Sequence, residues 1–145
     1  MQDVIVREII VKASKERVYK AITDLKEITA WFPEAVEDGT LEVGQRPIFV
    51  FNEGKHKARI YIEAANPYTY FAYRWVPSGD GFLGDVLTVT NTLVEFHIEE
   101  LVDGTKVTLK ESGFASFAPE VAEERFKDNS GGWEYMMDRL EKVLN

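Results

Sequence analysis

The stretch TLVEFHIEELVDGTKVTLKESGF, Thr92 to Phe114, constrains this chain more than any other. Its two arms alternate in polarity around Asp103–Gly104, a pair that signals a type I′ hairpin turn. On the first arm Val94, Phe96 and Ile98 share a face. On the return arm Val107, Leu109 and Glu111 share one. A hairpin this long needs a covered apolar face, so the remaining segments are read for what covers it.

Upstream, Val4 to Ala13 is rich in Val and Ile and reads as a strand. Ser14 is placed to cap a helix, with Val18, Ile22 and Leu25 along one face. Asp24 and Glu27 have the spacing of a capping box for a second short helix. Ile28, Trp31 and Phe32 form its buried side and Pro33 its stop. RPIFVFNEGKHKARIYIEA reads as two arms around a turn at Asn52–Gly54. TYFAYRW alternates, with Phe71, Tyr73 and Trp75 together on one side.

The only long helical pattern comes last. Pro119 suits a first turn, and Glu120, Glu123 and Glu124 suit the positive end. Phe126, Trp133, Met137, Leu140 and Leu144 then follow near helical spacing, with Asp138 and Lys142 as an i,i+4 pair. Unbroken, this helix is about 37 Å long at 1.5 Å per residue. Gly131 and Gly132 interrupt it at a cost of about 2 kcal/mol against alanine. Continuity is favoured because Phe126 and Trp133 stand two turns apart. The glycines then serve a close helix–sheet contact at a pocket rim, or a kink. The alternative is a loop, with the helix starting at Trp133.

Five pieces in this order resemble the START-like (SRPBCC, helix-grip) superfamily, and within it the family named for the activator of the heat-shock-protein-90 ATPase. They are IIVKASKERVYKAITD, the Trp31–Phe32 pair, NPYTYFAYRW, the hairpin ending at Gly113–Phe114, and GGWEYMMDRLEKVL. Two positions depart from the family pattern: Ser14 stands where Pro is usual, and Glu111 where His is frequent. The resemblance implies an α+β helix-grip fold: a curved antiparallel sheet wrapped around the long C-terminal helix, with two short helices after the first strand. It implies one domain over residues 1–145, without the extra N-terminal domain expected of a complete chaperone activator. It also implies a cavity between sheet and helix.

For that cavity the expected ligand-binding residues are Trp31, Phe49, Phe51, Phe71, Tyr73, Trp75, Phe96, Glu111, Trp133 and Met137. The competing reading is that these side chains only fill a core. Glu111 shares strand parity with Val107 and Leu109 and should point inward. Strand ends often break parity, so the favoured expectation is a bulge near Gly113 that returns the carboxylate to water, or a structural pair with an arginine. The alternative is a desolvated carboxylate that orients a ligand or acts as acid or base. His56, by a turn, and His97, between Glu95 and Glu99, are expected to be solvated. Neither has a third ligand at metal spacing, and no metal or cofactor is expected. Pro77 to Asp85 is the one Gly-rich loop, read as a surface connection or a pocket lid. It lacks the lysine and the context of a phosphate loop.

Composition narrows function by exclusion. A net charge of −8 opposes a general nucleic-acid role. The absence of cysteine removes disulfides, thiolate metal sites and a cysteine nucleophile. MQDVIVREIIVKAS has no apolar run fit for a signal peptide or membrane span, so a cytoplasmic protein without membrane contact is expected, monomeric or weakly dimeric. Three functions follow. The first is binding of a small hydrophobic or amphipathic molecule. The second is a protein-interaction or co-chaperone module with a packed interior, in a stress-response setting. The third is a cyclase-like or hydrolytic enzyme, for which only Glu111 and Tyr73 are available, so a non-enzymatic role is favoured.

Overall fold

The computed structural model describes residues 3–77 and 81–145. Strand β1 (Val4–Val11) leads into helix α1 (Lys15–Thr23) and the single turn α2 (Leu25–Ile28). The strands β2 (Ala35–Glu37), β3 (Ile48–Phe51), β4 (His56–Arg59), β5 (Tyr61–Asn66), β6 (Tyr70–Trp75), β7 (Thr92–Leu101) and β8 (Gly104–Ser112) follow. Helix α3 (Pro119–Leu144) closes the order. All strand pairs are antiparallel. One curved, open sheet has the order β1-β8-β7-β6-β5, and a smaller one has the order β2-β3-β4. The fold is thus the α+β, helix-grip arrangement implied by the sequence. Among the described residues no helix is long and apolar enough to cross a membrane.

Helix starts follow the caps. Ser14 has extended backbone angles and its side chain accepts from the Arg17 N–H at 3.1 Å. Asp24 accepts from the N–H groups of both Lys26 and Glu27, which starts α2. The reciprocal half of the capping box is absent. Glu27 instead takes the Arg17 guanidinium at 2.8 Å, and the Asp24 N–H donates to Lys20 O. Because Asp24 ends α1, Leu25 falls outside its apolar stripe and is exposed, whereas Val18 and Ile22 are buried.

The β7–β8 hairpin closes one residue earlier than Asp103–Gly104. Leu101 pairs with Gly104, and Val102 and Asp103 are the loop. Neither loop residue has the left-handed φ that a type I′ turn demands, and Gly104 lacks it too. Gly104 is needed for another reason: a Cβ there would lie 2.2 Å from the Val11 carbonyl oxygen. The pair marks a close approach of β8 to the end of β1, not a turn type.

The second arm of the 46–64 segment also divides. Its turn at Asn52–Gly54 forms, with left-handed φ at all three residues, but Ile60 separates β4 from β5. The chain leaves the small sheet there and joins the large one. Buried Ile60 and Ile62 hold the crossing, and their N–H groups donate to Pro47 O and Gln45 O.

Helix α3 runs unbroken through Gly131 and Gly132, and it packs against β1 and α1. Trp133, Met137, Leu140 and Leu144 are its buried face, and Phe126 stacks edge-on to Phe114 at 5.3 Å. Each large side chain buried contributes about 1.5–3 kcal/mol, which outweighs the roughly 2 kcal/mol lost to two glycines. The close helix–sheet contact expected at those glycines is not there. Both are exposed, and a Cβ on either would meet nothing within 4 Å.

Two substitutions separate these glycine roles. Gly104→Ala is expected to destabilise the protein by about 2 kcal/mol, since backbone must shift to admit the methyl group. Gly131→Ala is expected to stabilise it by about 1 kcal/mol through helix propensity alone. Urea denaturation of both variants checks the pair.

Candidate functional site

The site is built on Glu111. The β7–β8 ladder runs without a bulge from Leu93↔Ser112 to Leu101↔Gly104, so strand parity holds to the end. Glu111 therefore shares the inner face with Val107 and Leu109 and is fully buried. The expected escape to water does not occur, and among the described residues no arginine pairs with it. Its partners are uncharged donors from three elements. Trp75 Nε1, at the end of β6, donates to Oε2 at 2.9 Å, and Trp133 Nε1 to Oε1 at 2.7 Å. Thr92 Oγ1, at the start of β7, donates to Oε2 at 2.6 Å. Asn129 Nδ2 reaches both oxygens, at 2.9 and 3.2 Å.

Burial pushes the Glu111 carboxyl above the ordinary glutamate value, and the four hydrogen-bonding side chains oppose that rise without cancelling it. Tyr73 is buried beside it. Its hydroxyl is raised well above the usual tyrosine range, first by desolvation and then by the nearby Glu111 charge. Among the described residues, the Tyr73 hydroxyl is the one buried side-chain polar atom without a hydrogen-bond partner.

A cleft of about 180 Å³ opens beside this network. Phe51, His56 and Ala58 of the small sheet form one side, and Asn129, Gly132, Trp133 and Met136 of α3 another. Trp75, Val76 and Phe32 complete it. The volume falls below the ~300 Å³ at which pockets for drug-sized ligands begin, so the cleft suits a small molecule or one part of a larger one. It is smaller than the hollow expected between sheet and helix, because rings fill most of that space. Phe32 is central to the filling. Its ring centroid lies 5.1 Å from that of Trp133, 5.5 Å from Phe49, 6.0 Å from Trp75 and 6.4 Å from Tyr73.

Of the residues expected at a ligand, Phe51, Trp75 and Trp133 line the cleft, and Glu111 holds the last two from behind. Trp31, Phe49, Phe71, Tyr73 and Phe96 lie in the packed core. Trp31 donates its indole N–H to Ala21 O at 2.9 Å. Met137 is buried and borders a separate groove with Arg7 and Tyr135. Sequence reasoning missed Phe32, Asn129 and Met136 at the cleft, and Thr92 behind it, whereas Gly132, expected at a pocket rim, does line the cleft. Asn129 was legible in principle, since it stands one turn before Trp133 on the same helix face. Thr92 stands two residues before Val94, on the same strand face.

His56 was expected in solvent but is half-buried at the cleft, its ring 6.1 Å from that of Phe51. His97 is also only partly exposed, its ring 5.0 Å from that of Tyr70 and its Nε2 3.7 Å from Glu95. Among the described residues no three His, Asp or Glu side chains are grouped to hold a metal ion. Residues 78–80 of the Gly-rich loop lie outside the described residues. The second half of that loop is fastened to Arg59, whose Nε donates to Leu83 O at 3.0 Å.

The Glu111 environment sets a sign for pH dependence. With its folded pKa above the unfolded one, its contribution to stability is fully present at low pH. That contribution declines as pH rises from the ordinary value of 4.5 through the raised one, then stays flat. Urea titrations across this range are expected to show wild type losing stability relative to Glu111→Gln as pH rises. A wild type that instead gains on Glu111→Gln with rising pH would contradict the assignment.

The profile of the family described as "Activator of Hsp90 ATPase homolog 1-like protein" matches residues 12–145. No curated protein matches the sequence significantly. Solved structures share the fold. Protein MLL2253 of Mesorhizobium loti is 21% identical with a TM-score of 0.78, over 97% of this chain and 96% of that one. The Aha1 dimer of Colwellia psychrerythraea, solved in solution, is 20% identical with a TM-score of 0.76, over 99% and 96%. DynU16, a protein of the dynemicin biosynthetic locus, is 21% identical with a TM-score of 0.77. The match covers 99% of this chain and 48% of DynU16. With the profile spanning nearly the whole sequence, the chain belongs to the Activator of Hsp90 ATPase homolog 1-like family, as an Aha1-type START-like domain.

Proposed function

We propose that this protein binds a small, mainly apolar molecule in the cleft between α3 and the β3–β4 hairpin. The observation that carries the reading is the make-up of that cleft. Aromatic and aliphatic side chains form most of its wall, and Asn129 and His56 are its polar members. Two indoles are held in place by one buried carboxylate. Apolar burial supplies affinity at about 25 cal/mol per Å², and a few fixed polar groups set orientation. Gly132 fits the same reading, because its missing side chain leaves the space beside Trp133 open. The ligand-contacting set is then Phe32, Phe51, Trp75, Asn129, Trp133 and Met136, and a cysteine-free chain suits a cytoplasmic setting. The place of DynU16 in a biosynthetic locus is consistent with a small-molecule role for this fold.

A protein-interaction module is the second reading, favoured by the largely packed interior and by exposed apolar residues on the edge strand β1. Val4, Val6 and Ile10 are 42%, 48% and 57% exposed. Catalysis by Glu111 has less support, since the carboxylate is sealed behind its donors.

Titration of methylcyclohexane tests the first reading, followed by tryptophan fluorescence and by amide shifts in ¹H–¹⁵N spectra. Shifts centred on Trp75, Gly132 and Trp133 are expected. Gly132→Leu, which fills the cleft from an exposed helix position, is expected to weaken binding roughly tenfold. Shifts scattered over the surface, or binding indifferent to Gly132→Leu, would overturn it.

A further inference from the structure

The Tyr73 hydroxyl is the feature that the fold does not explain. A buried hydroxyl without a partner costs stability, and a phenylalanine would fill the same space without that cost. Tyr73 is fully buried, and its ring touches those of Phe32 and Trp75, both of which border the cleft. Phe32 is carried by the turn that follows α2, outside any helix or strand. Phe32 and Trp75 thus stand against both the cleft and the Tyr73 ring.

Charge decides what could meet it. Tyr73 and Glu111 both pair with Val94, from the strands on either side of it, so the two buried side chains share the inner face of the sheet, and among the described residues no cationic side chain within ion-pair distance neutralises the carboxylate. The chain as a whole carries a net −8. An anionic head brought to Tyr73 would face the Glu111 carboxylate in a dry interior, where repulsion is weakly screened. A neutral oxygen would not. The tyrosine O–H can donate to a carbonyl or hydroxyl oxygen, and the rest of such a ligand would lie among the rings.

We propose that the Tyr73 hydroxyl is the polar contact for the ligand of this cleft, and that the ligand is an uncharged, oxygen-bearing apolar molecule, an alcohol or ketone, not a carboxylate or phosphate. The proposal rests on the cleft being a binding site and adds the class of molecule that it selects. It also accounts for an unpartnered hydroxyl at a position where the resting protein gains nothing from one.

The test uses one carbon frame with four substituents: methylcyclohexane, cyclohexanol, cyclohexanone and cyclohexanecarboxylate. Each is titrated into wild type and into Tyr73→Phe, and the thermal midpoint of both proteins is measured without ligand. The alcohol and ketone are expected to bind wild type about fivefold more tightly than Tyr73→Phe, while methylcyclohexane binds both equally. The carboxylate is expected to bind about tenfold more weakly than the ketone. Tyr73→Phe is expected to melt at a higher temperature than wild type.

Equal affinity of the two proteins for the alcohol and ketone would overturn the proposal. So would tight binding of the carboxylate, or a lower melting temperature for Tyr73→Phe, which would mean that the hydroxyl is already satisfied in the resting protein. In each of these cases methylcyclohexane binding would leave the cleft standing as an apolar site. If no member of the series binds, the site reading fails together with the proposal.

Discussion

The carboxylate of Glu111 is the constraint around which the interior is arranged. A charge-bearing group sealed from water must find partners, and here they come from the ends of β6 and β7 and from the middle of α3. Those segments are far apart in sequence. The contacts fix where the helix sits along the sheet, which apolar packing alone leaves loosely specified, because it is not directional. They also orient Trp75 and Trp133, whose rings lie 6.0 Å apart and border the cleft. Structural register and site geometry therefore depend on the same side chain.

Most of the architecture was legible because it rests on periodicity. The alternation through Val94, Phe96 and Ile98, the Ser14 cap and the spacing from Trp133 to Leu144 each reflect a local rule, and the structure follows all three. Reading failed where a distant contact overrode the local signal. Asp103–Gly104 has turn composition, yet the glycine answers to the Val11 carbonyl. Asp24–Glu27 has capping-box spacing, yet Glu27 is claimed by Arg17. Ile60 lies within a continuous apolar-alternating run, and nothing local reveals that the strand changes sheets there.

The site was legible in kind more than in detail. Strand parity placed Glu111 inside, while the general tendency of strand ends to break parity argued the other way, and the unbroken ladder to Ser112 decided it. A count of aromatic residues does not distinguish rings that fill from rings that line. That division depends on Phe32, which occupies the centre of the cluster and leaves only its margin open. The glycines of α3 were noticed for their cost, but their setting is open space at the helix surface, which a one-dimensional pattern does not report.

The change of sheet at Ile60 divides labour in the molecule. The large sheet carries the pairing of the first strand with the last, Val4 with Ser112, so its ladder joins residues far apart in the chain. The three short strands before Ile60 are local, and two of them, β3 and β4, supply one flank of the opening. Side chains on the β3–β4 hairpin can therefore be exchanged to reshape that flank, while the long ladder and the grip on the terminal helix stay as they are.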